Sequence, residues 1–217
     1  MRKGDVSLMA RSGKISNAVV KRLSRYKRTL EDLMHQGIER VSSGELSESI
    51  GFTASQIRQD LNHFGGFGQQ GYGYNVKELY AEIEKILGVD RTYKLVVVGC
   101  GRLGQAIANF LATYDHGYEI VGMFDVNPAL VGMESCGVKI RTSSEISDFL
   151  EKNDVDIAVI TTTKAAAPAL AEELIAGGVK GIWNFAPIDI RTDIIPVENM
   201  HLSDGLQTLV YYINHQD

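Results

Sequence analysis

The residues best suited to bind a ligand form a glycine-rich loop with the spacing G-x-G-x-x-G: Gly99, Cys100, Gly101, Arg102, Leu103 and Gly104. An apolar run that predicts a buried strand precedes the loop, and a helical pattern follows it. In this setting the first glycine permits a tight turn, the second lets the backbone approach a pyrophosphate, and the third allows close helix–strand packing. The free N–H groups of the helix N-terminus would hold the phosphates. The loop therefore predicts a dinucleotide site.

Asp125 ends the next predicted strand, about 20 residues after the loop, where an acid accepts hydrogen bonds from ribose hydroxyls. Val126 and Asn127 follow it, and no neighbouring arginine could neutralise a 2′-phosphate, so NAD(H) is favoured over NADP(H). Coenzyme A stays an alternative, although its phosphorylated ribose fits Asp125 poorly. Cys100 suggests a redox-sensitive thiol, because helix N-termini lower thiol pKa values, or a small residue that fills space beside the ligand.

A second group of residues predicts a helix-turn-helix over residues 42–64. Ser42 with Glu45, and Thr53 with Gln56, have the spacing of two capping boxes, and Gly51 separates the helices. The polar residues on the second helix are candidates for DNA contact: Ser55, Gln56, Arg58, Gln59, Asn62 and His63. Glycines and aromatics alternate over residues 65–74, which favours a β-wing containing Gln70 over a flexible linker.

From residue 93 onward, predicted strands alternate with helical patterns, which indicates a doubly wound parallel sheet of the Rossmann type. A further amphipathic helix over residues 204–214 stands apart from this alternation. We therefore expect an α/β protein with three parts: a winged helix-turn-helix domain (1–88), a nucleotide-binding domain (89–203) and a C-terminal helix (204–217).

The composition is that of an ordinary globular protein, with 44% hydrophobic and 23% charged residues among 217. No apolar run reaches the roughly 20 residues that cross a bilayer, and no signal peptide is evident, so we expect a cytoplasmic protein without a membrane partner. Two isolated cysteines and scattered histidines predict neither disulfides nor a metal site.

The net charge of −5 is unevenly distributed along the chain, because residues 1–75 carry 11 Lys/Arg against 7 Asp/Glu. Local basic groups suit phosphate contacts, although a solvated basic face would look the same.

No catalytic constellation is apparent, and only one helix remains after the α/β region, so we do not expect an enzyme. A dehydrogenase would need a substrate pocket and a proton-transfer group facing the nicotinamide. His116 and His201 belong to no catalytic motif.

Several collinear motifs resemble the Rex family of redox-sensing transcriptional repressors, over nearly the whole chain. These motifs are AVVKRLSRY (18–26), SQIRQDLNHFGGFGQQGYGY (55–74), GCGRLG (99–104), DVNP (125–128) and GIWNFAP (181–187). The resemblance implies a homodimer whose winged helices bind a palindromic operator and whose C-terminal helix is swapped between protomers. It also implies that NADH releases the DNA whereas NAD⁺ permits binding.

The resemblance assigns roles to further residues. Arg58 would reach a base edge or a phosphate in the major groove, consistent with the preference of arginine for guanine. The nicotinamide would lie near two segments at strand ends, which comprise Thr161, Thr162, Thr163, Asn184, Phe185, Ala186 and Pro187.

The chain departs from the family at the DNA surface. Gln59 and Gln70 replace basic residues, and Asn62 and His63 replace Ser and Tyr. A dimer would lack roughly four positive contacts, so we expect weaker DNA binding, a flatter salt dependence and a shifted operator preference.

The predicted switch departs as well. Arg28 fits an arginine that, in the family, meets a tyrosine and an aspartate in a polar contact sensitive to the nucleotide, but Phe110 and His201 occupy the other two positions.

The leading hypothesis is an NAD(H)-responsive repressor. The alternatives are a paralogue with altered operator choice or a blunted response, and a nucleotide-binding module that acts through a protein partner.

Overall fold

The computed structural model describes residues 16–64, 72–114 and 117–215. The chain divides between Arg91 and Thr92 into two compact units. Gln70 and His116, together with most of the predicted wing, lie outside the described residues. Within the described part, no helix has the length and apolar character needed to cross a membrane.

The N-terminal unit consists of helices around one apolar core and a short antiparallel ribbon. Its elements are α1 (Asn17–His35), β1 (Arg40–Val41), α2 (Ser43–Ile50), α3 (Ala54–Asn62), β2 (Tyr74–Asn75) and α4 (Val76–Leu87). The ribbon pairs β1 with β2, with Val41 opposite Tyr74. The core contains residues from all four helices, among them Leu23, Leu46, Ile57, Leu61 and Ile83, each at most 1% exposed.

Side-chain caps start α2 and α3 where the sequence predicts. Ser42 and Glu45 form a complete capping box at α2, and Gly51 ends this helix in the left-handed conformation with φ of 77°. The second predicted capping box is only half correct. Thr53 accepts a hydrogen bond from the backbone N–H of Gln56, but the Gln56 side chain turns instead to Asp60. Helix α3 also ends at Asn62 rather than at the predicted Phe64.

The C-terminal unit is a seven-stranded sheet in the order β5-β6-β4-β3-β7-β8-β9. Its strands are β3 (Tyr93–Val98), β4 (Tyr118–Asp125), β5 (Glu134–Ser135), β6 (Val138–Thr142), β7 (Ile157–Ile160), β8 (Gly181–Asn184) and β9 (Val197–Asn199). All neighbours pair in parallel except β5 and β6. The six parallel strands have the order of the dinucleotide-binding fold, which reverses between β3 and β7. The predicted doubly wound sheet is confirmed, whereas β5 and β9 were not foreseen.

Helices cover both faces of this sheet. They are α5 (Arg102–Tyr114), α6 (Ile146–Lys152), which follows a 3₁₀ turn (Ser143–Glu145), and α7 (Ala167–Ala176). Strand β3 divides its side chains between two cores, with Leu95 and Val97 on the side of α5 and Val96 and Val98 on the side of α6 and α7. A last helix, α8 (Leu202–Asn214), begins two residues earlier than predicted and has no buried residue.

Candidate nucleotide and DNA sites

The glycine loop joins β3 to α5 at the carboxyl edge of the sheet, where the strand order reverses and α/β proteins bind ligands. Gly99 has φ of +96°, and a Cβ there would lie 2.8 Å from the Thr161 backbone. A Cβ on Gly104 would overlap the Gly99 carbonyl oxygen. A Cβ on Gly101 would meet nothing within 4 Å. Two glycines are therefore required by the protein itself, and the third borders open space that a phosphate could occupy.

Three threonines border the same crevice at the end of β7. The Thr161 hydroxyl donates to the Gly99 carbonyl at 2.5 Å and thereby ties β7 to the loop. Thr162 Oγ1 is buried and has no hydrogen-bond partner among the described residues. Because a buried polar atom without a partner is costly, this hydroxyl is suited to a bound polar ligand. Thr163 is exposed.

Asp125 connects the end of β4 to the loop. One carboxylate oxygen accepts from the Cys100 N–H at 2.6 Å, and the other accepts from the Asn127 N–H at 2.7 Å. Each oxygen has a second lone pair, so these two bonds leave capacity for ribose hydroxyls. Asp125 therefore fixes the loop geometry in addition to its predicted role toward a ribose.

Cys100 is unsuited to redox chemistry. Its side chain is fully buried, and its thiol lies 3.3 Å from the Phe124 carbonyl oxygen. Burial and then the nearby Asp125 carboxylate raise the pKa of the thiol to about 12. Because the thiolate is the reactive form, the hypothesis of a redox-sensitive thiol is not supported, and Cys100 fills space beneath the loop. Arg102 and Leu103 begin α5, the former exposed and the latter partly buried.

Asn184 is fully buried at the end of β8 and acts as a brace. Its Oδ1 accepts from the Ala186 N–H at 3.0 Å, and its Nδ2 donates to the Ile188 carbonyl at 2.7 Å and to Asn199 Oδ1 at 2.8 Å. Asn199 in turn accepts from the N–H of Ile190 and donates to its carbonyl. These bonds position the segment after β8 rather than project Asn184 toward a ligand. Sequence reasoning missed Asn199 because no motif surrounds it.

The other candidates beside Asn184 differ in accessibility. Phe185 packs edge-on against Trp183 with ring centroids 4.6 Å apart, Ala186 is buried and Pro187 is exposed. Within the described residues, no group of three His, Cys, Asp or Glu side chains could hold a metal ion.

Helix α3 brings together the predicted DNA-contacting residues. Its exposed members are Ser55, Arg58, Gln59, Asn62 and the C-cap residue His63. The Arg58 guanidinium donates to the Ser43 hydroxyl at 2.8 Å, so α2 supports this side chain. Gln56 is partly buried and bonded to Asp60, an acid that sequence reasoning overlooked. The sequence feature that could have revealed Asp60 is its place on the apolar face of the helix, between Ile57 and Leu61.

The predicted switch residues belong to different units. Arg28 is exposed on α1, and Phe110 is 55% exposed on α5. His201 lies just before α8, with Nε2 2.7 Å from Asp189 Oδ1. This contact raises the pKa of His201 and lowers that of Asp189. A residue that carries positive charge when protonated thus stands where the family resemblance implies a carboxylate.

The fold and these sites define a class: a DNA-binding unit of the helix-turn-helix type joined to a dinucleotide-binding unit. Residues 14–62 match the family described as "Putative DNA-binding protein N-terminus", and residues 90–188 match the family described as "CoA binding domain". The chain is 52% identical over 204 residues to the redox-sensing transcriptional repressor Rex of Clostridium perfringens, with 94% of this chain and 96% of the relative covered. The identity to the Rex repressor of Thermoanaerobacter pseudethanolicus is 48% over 210 residues, covering 96% and 94% of the two chains. The chain belongs to the Rex family of redox-sensing transcriptional repressors, which are regulators rather than enzymes.

Solved structures agree with this membership. The chain resembles the Rex-family repressor RSP in complex with β-NAD⁺ and operator DNA, with a TM-score of 0.87, 48% identity and 94% of each chain covered. The complex of RSP with β-NADH gives a TM-score of 0.85 and 46% identity over 94% of this chain and 96% of that one.

Proposed function

We propose that this protein is a transcriptional repressor that binds NAD(H) as an effector and releases its operator DNA when NADH is bound. The observation that carries the proposal is that one chain holds both an exposed polar recognition helix and an open dinucleotide crevice. In this proposal a domain over residues 1–88 binds DNA and a domain over residues 89–203 binds the nucleotide. The helix over residues 204–217 follows them. A cytoplasmic location, where DNA and the NAD(H) pool meet, is part of the proposal.

In this proposal the loop residues bind the pyrophosphate. Gly101 leaves the space, and the N–H groups that open α5 would donate to the phosphates, because the first four amides of a helix have no intrahelical partner. The Asp125 carboxylate would accept from the adenosine ribose, and the buried Thr162 hydroxyl would gain its missing partner. Bound NADH or NAD⁺ supplies the redox signal only through its nicotinamide, which would lie beside Phe185 and Pro187. The free ribose hydroxyls that Asp125 requires favour NAD(H) over coenzyme A.

Fluorescence anisotropy of a labelled duplex tests this function. The operator bound in the RSP complex is titrated with the protein, alone and with NADH or NAD⁺. We expect binding that NADH abolishes and NAD⁺ preserves. Tight binding indifferent to both nucleotides would show that the substitutions at Phe110 and His201 have removed the switch. No binding to that duplex or to family-type palindromes would contradict the repressor function and favour a protein partner.

The apolar face of α8 supports a homodimer with exchanged helices. Leu202, Leu206, Leu209 and Ile213 recur at helical spacing and are 55–66% exposed. A 13-residue helix is marginal in water unless an apolar face packs on something. We propose that the corresponding surface of a second copy covers this face.

The combined change Leu206→Asp and Leu209→Asp should convert the dimer to a monomer of 23.8 kDa. Burying two carboxylates in an apolar contact costs several kcal/mol, and about 4 kcal/mol weakens association by about 1,000-fold. Light scattering after size-exclusion chromatography measures the mass. The matched control is Gln207→Asp with Thr208→Asp, which adds the same charge away from the Leu206–Leu209 stripe and should remain dimeric. Equal masses for both double variants would contradict the role of this face.

A further inference from the structure

Asp60 is a buried acid that accepts hydrogen bonds from four donor atoms, although no motif marks it. It is 2% exposed and lies on the recognition helix α3. Arg22 on α1 donates from Nε at 2.6 Å and from Nη2 at 2.8 Å, one bond to each carboxylate oxygen. Tyr26, also on α1, donates from its hydroxyl at 2.7 Å. The fourth donor is Nε2 of Gln56, at 3.1 Å from Oδ1.

The carboxylate is ionised in this setting. Burial acts to raise the pKa of Asp60, but the bonds from Arg22, Tyr26 and Gln56 outweigh it, and the pKa falls below its usual value. An ionised carboxylate only accepts hydrogen bonds. The Gln56 carboxamide must therefore turn its NH₂ group toward Asp60, which directs its carbonyl oxygen, Oε1, away from the acid.

Gln56 occupies the part of the helix that reads DNA in related architectures. It is the third residue of α3, and the N-terminal residues of a recognition helix contact base edges in the major groove. It is only partly buried, so part of the residue is accessible. An unrestrained glutamine could rotate its amide to suit either donors or acceptors.

We propose that Asp60 is a positioning residue that presents Gln56 Oε1 as a hydrogen-bond acceptor to the exocyclic amino group of a base. In the major groove these groups are N6 of adenine and N4 of cytosine, whereas O6 of guanine and O4 of thymine are acceptors and would be rejected. The inference rests on the proposed DNA-binding function and extends it to the selection of one base per half-site.

The test couples single-atom changes in the DNA to changes in the protein. In the RSP operator duplex, each adenine is replaced in turn by purine and each cytosine by 2-pyrimidinone, which deletes the amino group. The wild type is compared with Gln56→Met, which keeps the side-chain length without the amide. We expect one position per half-site where the deletion weakens wild-type binding by about 10-fold more than it weakens the variant. Loss of base pairing affects both proteins and cancels in this comparison.

Asp60→Asn then tests the positioning role. Its thermal unfolding and NADH affinity are measured first, to establish that both units are folded. At the base position that couples to Gln56, we expect the effect of deleting the amino group to fall to about 2-fold or less. Deletions at other positions should keep their effects. Asp32→Asn is the control, because it makes the same chemical change at an exposed acid on α1 and should leave the preference at the position coupled to Gln56 intact. If Asp60→Asn does not fold, the base identity found with Gln56→Met still shows whether the Gln56 carboxamide presents its oxygen or its NH₂ group to the DNA.

Specific results would overturn the inference. One is coupling of Gln56 to a guanine O6, detected by replacing guanine with 2-aminopurine, because the amide would then face the other way. Another is a uniform effect of Gln56→Met at every position. Absence of operator binding by the wild type would instead contradict the proposed function, and with it this inference.

Discussion

Gly104→Ala is expected to lower the melting temperature of the protein by about 10 °C, with or without nucleotide. A methyl group at this position would overlap the Gly99 carbonyl oxygen and lie 2.7 Å from the Thr161 hydroxyl. Both neighbours are fixed, because the Thr161 hydroxyl, at the end of β7, donates to the Gly99 carbonyl in the turn between β3 and α5. Forcing a methyl group into such packing costs about 3 kcal/mol, which corresponds to this shift in a domain of this size. Calorimetry measures it directly.

Gly101→Ala is the matched control, because it adds the same methyl group to the same loop. A Cβ there meets nothing within 4 Å, and Gly101 is not among the glycines with positive φ. The melting temperature of the free protein should stay within about 1 °C, whereas NADH affinity should fall by about 10-fold or more, because the methyl group occupies the space proposed for the pyrophosphate. Unchanged NADH affinity in Gly101→Ala would place the phosphates elsewhere, and an unchanged melting temperature in Gly104→Ala would contradict the packing argument.

Features governed by local rules could be predicted from the sequence. The caps at Ser42 and Thr53 depend on residues three positions away, and each accepts the expected backbone N–H in the structure. The alternation of strands and helices from residue 93 onward is present, because buried parallel strands such as Ile157–Ile160 are short apolar runs between turn residues. The glycine loop also lies where its spacing indicates.

Features that depend on distant partners could not be predicted. Asp60 is buried only because Arg22 and Tyr26, more than 30 positions away, supply its hydrogen bonds. Gln56 has the spacing of a capping box, yet its side-chain amide donates a hydrogen bond to Asp60. Strand β9 has three residues with no apolar periodicity, and it exists because β8 offers a parallel edge. In each case tertiary contacts override the local pattern.

Arg58→Ala is expected to weaken operator binding by about 100-fold or more. Arg58 is the one basic residue on α3, it is exposed, and the Ser43 hydroxyl supports its guanidinium from α2. An arginine that contacts a guanine contributes about 1–3 kcal/mol, and a dimer would lose this contribution in both half-sites. Because its neighbour Gln59 is neutral, Arg58 alone supplies the positive charge of α3.

Three further variants separate charge from geometry at this position. Arg58→Lys keeps the charge but loses the planar fork, so it should preserve the salt dependence of binding while it relaxes base preference. Ser43→Ala removes the support at 2.8 Å and should weaken binding by only a few-fold. Lys180→Ala removes a cation from the other unit, where it pairs with Asp154 and Asp156, and should leave operator affinity unchanged. Anisotropy titrations at several salt concentrations measure all of these variants. If Arg58→Ala and Lys180→Ala had equal affinities, Arg58 would not contact the DNA.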